Sequence, residues 1–402
     1  MKSNRFIAVF LLFLVTFFLS IEFFGIHALA ELIYKESFVK QLSFNLLYVQ
    51  KWVVMLIFIV PFAIFSDIIK KRLEMIVFGI ILIIFGYILF LIYGTEFNFF
   101  ILFGIGTAFI ITNLPALIAS LFDKKEERRN AAFILFFIGL SFGIYTVPFA
   151  ISKLLDNSTH QSAIVLFIVI LTISLILLLF GRNVINSNNK DLLVETKSNK
   201  NLSTILSLFV LFTSSLLFIR VISNLVEKEL SSYAEFTLGQ ASFDPQIFLG
   251  FTGSFIFFFL FTLFFVYIIK KNSFKTIYFI TLSFVFIGIG TIVIYPIAFD
   301  LEFTKTNFFF MFLGNMFFFA LAESFMIPFG LSIISRISNP KWLSTVFSFL
   351  FILYFSTYPL DAYIGSLSDR SISLLIFINS LVFGGILYFN RNKYFKLTDG
   401  IE

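Results

Sequence analysis

A chain of 402 residues that is 59% hydrophobic, with 65 Phe, only 13% charged residues and a mean hydropathy of +1.00, lies far outside the composition of soluble domains. Its formal charge of +6 would suggest nucleic acid in a soluble protein, but the basic residues fall between apolar stretches, so they report membrane topology and no nucleic-acid partner is expected. Cysteine is absent, which excludes disulfides and thiolate metal sites, and His27 and His160 are the only imidazoles, so neither a metal nor a cofactor is expected.

Twelve apolar stretches of roughly 19 to 29 residues fill the chain, the first near 6–33 and the last near 371–389. Each is long enough to cross a bilayer core of ~30 Å as a helix, the only open structure that satisfies its backbone within one segment. The first stretch, with Lys2, Arg5 and an Ala28-Leu29-Ala30 triplet, has the outline of a cleavable signal. Removing it would flip the terminus that the charge pattern requires, so it reads as a span. The second ends on Asp67, followed by Lys70, Lys71 and Arg72. The longest polar gap, 182–202, is rich in Asn, Ser and Lys and separates six spans from six.

With the N-terminus placed in the cytoplasm, 21 of the 29 Lys and Arg fall inside. Six fall outside (Lys35, Lys40, Lys153, Lys228, Lys305 and Arg370), and Lys51 and Arg220 lie within spans. Both termini are therefore expected in the cytoplasm, and the absence of an export signal suits a bacterial inner membrane. The halves echo one another. Asp67-Ile-Ile-Lys70-Lys71 is repeated as Tyr267-Ile-Ile-Lys270-Lys271 at an offset of 200, and Leu114-Pro115 with Phe136-Phe137 as Ile327-Pro328 with Phe349-Leu350 at 213. The pattern predicts an all-α membrane protein of twelve transmembrane helices in two six-helix bundles, the architecture of the major facilitator superfamily. The expected division is 1–181, a cytoplasmic linker 182–202, and 203–402.

The run Pro61 to Arg72 resembles that superfamily's loop motif of glycine, three residues, aspartate and a basic cluster, with Ala63 in place of the glycine. An acid at a helix end needs a cation or a helix N-terminus, so Asp67 is expected to latch the bundles in one state; the alternative is a solvated loop charge. The stretch Gly104-Ile-Gly-Thr-Ala-Phe-Ile-Ile-Thr-Asn113, Glu127-Arg128-Arg129, and Phe136-Phe137-Ile138-Gly139-Leu140-Ser141-Phe142-Gly143 resembles the proton-dependent oligopeptide transporters, with their G-T-G-x-x-K-P-N run, arginine pair and F-Y-x-G-I-N-x-G signature. Ala322-Glu323 through Pro328-Phe-Gly-Leu-Ser332 is similar to that family's G-E-x-x-x-x-P-V-G-L-S, and Phe23-Phe24-Gly25-Ile26-His27-Ala28-Leu29 to its Y-Y-G-M-R-A-L. Departures accompany the likeness. Thr16 to Ser20 stands where the family carries E-x-x-E-R, Ile111 takes the place of its fourth-span lysine, and the seventh span has Arg220 instead of F-E-Q.

Ionisable groups inside a bilayer mark sites by default. Glu323 lies 17 residues into a span running 306–334, close to the midplane. The resemblance implies that it holds a substrate ammonium; it could equally carry a proton or bond a neighbouring helix. Glu22 and Arg220 sit at similar depth and are expected to pair as a proton-sensitive gate or to form a static bridge. His27 could tune that pair or meet a substrate carboxylate, and Asn113 could offer its amide to substrate or bond between helices. Asp361 reads as an entrance charge, and Glu31 and Lys51 lie near the outer interface. With no nucleotide-binding loop and no catalytic constellation, an enzyme and an ATP-driven pump are not expected. The reading is a monomeric secondary carrier in the lipid bilayer that takes up peptides or peptide-like solutes with protons. The alternative is a carrier for another small solute, such as an amino acid, an anionic metabolite or a siderophore-like export substrate.

Overall fold

The computed structural model describes residues 2–35, 38–93, 99–124, 126, 128–155, 160–188, 276–298, 305–355 and 369–392, with a few single positions between 210 and 264. These residues are helical almost throughout, because in hydrocarbon each backbone donor must find its acceptor within its own segment. In chain order the described helices are α1 (Lys2–Lys35), α2 (Phe38–Ile69), α3 (Arg72–Tyr93), α4 (Phe99–Ser120), α5 (Arg128–Leu155) and α6 (His160–Asn188). They continue as α7 (Thr276–Ala298), α8 (Lys305–Ile337), α9 (Leu343–Phe355) and α10 (Asp369–Phe389). A 3-10 turn, Pro340–Trp342, precedes α9. Among the described residues seven helices are long and apolar enough to cross a membrane.

The chain forms two compact units, one made of Met1–Thr196 with Ser338–Phe355, the other of Lys197–Ile337 with Ser356–Glu402. In the first, α1 packs on α5 and α6, α3 on α4 and α6, and α9 on α2 and α4. Lipid offers no hydrophobic drive between helices, so close approach rests on small residues. Gly79 and Gly106 face each other across α3 and α4, where a Cβ on either would fall 2.6 Å from the other's carbonyl oxygen. Gly143 abuts Ser20 so closely that a Cβ would lie 2.3 Å from the serine's carbonyl carbon, and Ser20 Oγ donates to Gly139 O at 2.8 Å. The glycines of the fifth-span signature thus seat α5 on α1.

A two-residue link joins α2 to α3. Lys70 takes a left-handed φ of 59° and its N–H closes on Ser66 O at 2.9 Å, the backbone geometry that ends a helix abruptly. This brings Asp67, in the last turn of α2, against Arg72, the first residue of α3. In the second unit α8 packs on α7, which also carries α10. Asn315 Nδ2 donates to Gly290 O at 2.7 Å, and Phe279 stacks on Phe329 at 4.4 Å.

Candidate functional site

Among the described residues, the most densely bonded polar site lies in the first unit where α2 stops and α9 starts. Asp67 is buried, at 1% exposure, and both carboxylate oxygens are occupied. Arg72 donates to Oδ1 through Nη2 at 2.7 Å and Nε at 3.2 Å. The first turn of α9 supplies the rest: Ser344 N–H to Oδ1 at 3.3 Å, with Thr345 N–H and hydroxyl to Oδ2 at 2.8 and 2.9 Å. These are orphan donors of a helix N-terminus, where an anion is favoured by the bonds and the helix dipole together.

The network widens from there. Arg72 Nη2 also donates to Pro340 O at 2.8 Å, and its Nε to Ser344 Oγ at 3.0 Å. Ser344 Oγ in turn donates to Asn113 Oδ1 at 2.9 Å, while Asn113 Nδ2 donates to Ser66 Oγ at 2.9 Å and Phe109 O at 2.7 Å. The structure therefore joins Asp67 and Asn113, which the sequence reading kept apart, and occupies both ends of the Asn113 amide with α2, α4 and α9. Lys124 Nζ adds a further tie, to Ser338 O at 2.6 Å, and Arg5 pairs with Glu126 at 3.1 Å to hold the α4–α5 loop.

A second cluster lies along α2 about 24 Å away, at 1.5 Å per residue over the 16 positions from Asp67 to Lys51. Glu22 on α1 is 1% exposed and accepts a hydrogen bond from Tyr87 Oη on α3 at 2.5 Å. Lys51 is fully buried. Among the described residues the ammonium lies over three rings, 4.3 Å from the centroid of Phe23, 4.3 Å from Phe103 and 4.7 Å from Trp52. Among the described residues Glu22 is thus hydrogen-bonded to Tyr87 on α3, a partner that its sequence context does not announce. Arg220 lies outside the described residues, as does the side chain of His27, whose backbone is part of α1.

In the second unit Glu323 is 8% exposed near the middle of α8, 18 residues from its start and 14 from its end. The flanking Ala320, Ala322, Ser324 and Met326 are buried. Pro328 follows five residues later within the helix. A proline cannot donate to the preceding turn, so it frees a carbonyl close to the carboxylate.

Comparison with known proteins agrees on one architecture. The human organic anion transporter MFSD10 (TETRAN) superposes with a TM-score of 0.68 at 12% identity, over 98% of this chain and 99% of its own. The proton:xylose symporter XylE, bound to 6-bromo-6-deoxy-D-glucose, gives 0.69 at 12% over 98% and 96%. A bacterial homologue of the iron transporter ferroportin, outward-facing, gives 0.69 at 13% over 97% and 99%. At such identities the likeness carries the fold, and it is the twelve-helix fold expected from the sequence. No curated protein matches the chain by sequence. The profile described as Major Facilitator Superfamily matches residues 12–356, most of the chain, and the protein accordingly belongs to the major facilitator superfamily, a family of membrane transporters.

Proposed function

We propose that the chain is a proton-coupled secondary carrier that imports small peptides or peptide-like solutes by alternating access. The observation that carries this reading is Glu323, a carboxylate held midway along a spanning helix in the sequence context that resembles the tenth-span motif of the oligopeptide transporters. A carboxylate that has paid the cost of entering the bilayer suits a solute ammonium, to which it offers charge-assisted hydrogen bonds. Glu22 is assigned the proton, and His27, one turn beyond Phe23, a solute carboxylate. Asp67 and Arg72 are assigned the cytoplasmic latch, in which α9 separates from α2 and α4 when the carrier opens inward.

A second reading has its own support. Where the peptide family bears its E-x-x-E-R charges, Thr16 Oγ1 donates to Leu12 O at 2.7 Å and Ser20 Oγ to Gly139 O, so these positions serve helix packing. A carrier built this way suits another small solute, such as an amino acid, an anionic metabolite or a siderophore-like export substrate. Uptake of labelled dialanine into proteoliposomes under an imposed inward proton gradient separates the two. Accumulation above the level of gradient-free vesicles is expected. Absence of uptake by folded protein, with uptake of an amino acid or organic acid in its place, would transfer the assignment to the second reading.

A further inference from the structure

The box around Lys51 has a composition that helix packing alone does not require. Phe23 comes from α1, Trp52 from α2 and Phe103 from α4, and the rings also hold one another: Phe23 meets Trp52 edge-on at 5.8 Å and stacks with Phe103 at 6.0 Å. Tyr87 closes on Phe103 from α3 at 6.5 Å and fixes Glu22 by its hydroxyl. An ammonium presented to several ring faces, with the Glu22 carboxylate held on the same ring cluster by Tyr87, is the chemistry by which proteins recognise amines, since the negative faces of the rings replace lost hydration. The walls do not depend on the lysine side chain for their position. Gly104 sets the crossing of α4 on α2, where a Cβ would come 2.8 Å from Lys51 O and 3.1 Å from Val54, so backbone contact places Phe103 opposite Trp52.

We propose that this box is a binding site for a primary alkylammonium ion, filled in the protein by its own Lys51, which serves as the tethered counter-cation of Glu22. The proposal is independent of the transported solute. It makes Lys51 a positioning residue: the charge at the centre of the box, more than the stem that delivers it, keeps Glu22 and Tyr87 in register across α1, α2 and α3. Removing the side chain leaves a cavity walled by rings and a carboxylate, and an amine of matching length supplies what was lost.

The chain has two tryptophans, so replacing Trp342 by Phe leaves Trp52 as the sole indole and a direct reporter of the box. In that full-length background in detergent, Lys51→Ala is expected to lower the apparent melting temperature by roughly 5–15 °C, the scale for truncating a fully buried side chain. It should also shift Trp52 emission. Propylammonium chloride should reverse both changes saturably, while equal concentrations of propanol and sodium chloride do not. Adding Glu22→Gln should weaken propylammonium binding at least about tenfold, the factor for losing a charge-assisted partner. Rescue by propanol as effective as that by propylammonium would overturn the proposal, because the lysine would then only fill space. Lys51→Met decides the matter if the alanine variant does not survive extraction. It keeps the volume without the charge, and wild-type melting and emission in that variant would overturn the proposal, whereas a loss of both supports it.

Discussion

Asp67→Asn is expected to open the latch and abolish most transport while leaving the helices folded. The wild-type carboxylate accepts from Arg72, from two N–H groups at the start of α9 and from Thr345 Oγ1. The amide is nearly isosteric, but it removes the charge and turns an NH2 toward either the guanidinium or a backbone N–H, neither of which can accept. Breaking one side of a buried ion pair costs about 3–5 kcal/mol, which moves a two-state equilibrium by roughly two to three orders of magnitude at 1.4 kcal/mol per tenfold. The natural absence of cysteine gives a clean background for the measurement. Ser338, 8% exposed with its carbonyl tied to Lys124, becomes the probe as Ser338→Cys. Labelling by a membrane-impermeant maleimide from the cytoplasmic side should accelerate at least about tenfold when Asp67→Asn is added, and dialanine uptake should fall by a similar factor. Unchanged labelling would mean that Asp67 only caps α9 and holds no gate.

Glu323→Gln is expected to lose both net uptake and exchange. If the carboxylate holds the solute ammonium, replacing a charge-assisted bond by a neutral one costs about 1.5–3 kcal/mol, or roughly 10- to 100-fold in affinity. Counterflow, which needs binding but no proton gradient, therefore fails together with gradient-driven accumulation. A Gln variant that kept counterflow and lost only accumulation would identify Glu323 as the proton carrier instead. Glu323→Asp, with its charge retracted by one methylene, should keep part of both activities, since charge survives and geometry does not.

Much of the architecture was legible because a membrane imposes length and hydrophobicity on each helix separately. The Asp67–Arg72 pair was legible for a local reason: the two residues are five positions apart across a two-residue link, so their meeting needs only the turn at Lys70. The rest of the network was not. Ser344 and Thr345 stand more than 270 positions away and act in part through the backbone N–H groups of a helix start, which any residue but proline supplies. Asn113 shows a further limit. Substrate contact and an interhelical bond were both open for it, because hydrophobic run length reports depth along a helix and is silent about which neighbour a side chain faces. The structure turns it toward Ser66 and Ser344.

Lys51 is the residue whose surroundings the sequence concealed most fully. Lys40, Gln41, Asn45 and Gln50 precede it, so its segment reads as a polar approach to the membrane, whereas α2 already begins at Phe38. Trp52 is its neighbour in sequence, but the other two rings come from α1 and α4, 28 positions before it and 52 after it, and nothing local announces them. The available signal lay in Gly104, a small residue opposite Lys51 that lets two helices cross closely enough for Phe103 to reach the ammonium.

Joint passage of solute and proton can be read without labelled solute or an imposed gradient. Proteoliposomes holding pyranine in their lumen, clamped at zero membrane potential, would receive dialanine on the outside only. The account predicts that downhill dialanine acidifies the lumen, that vesicles carrying Glu323→Gln stay flat, and that a protonophore abolishes the signal. Dialanine entry at the wild-type rate with no change of lumenal pH would contradict it.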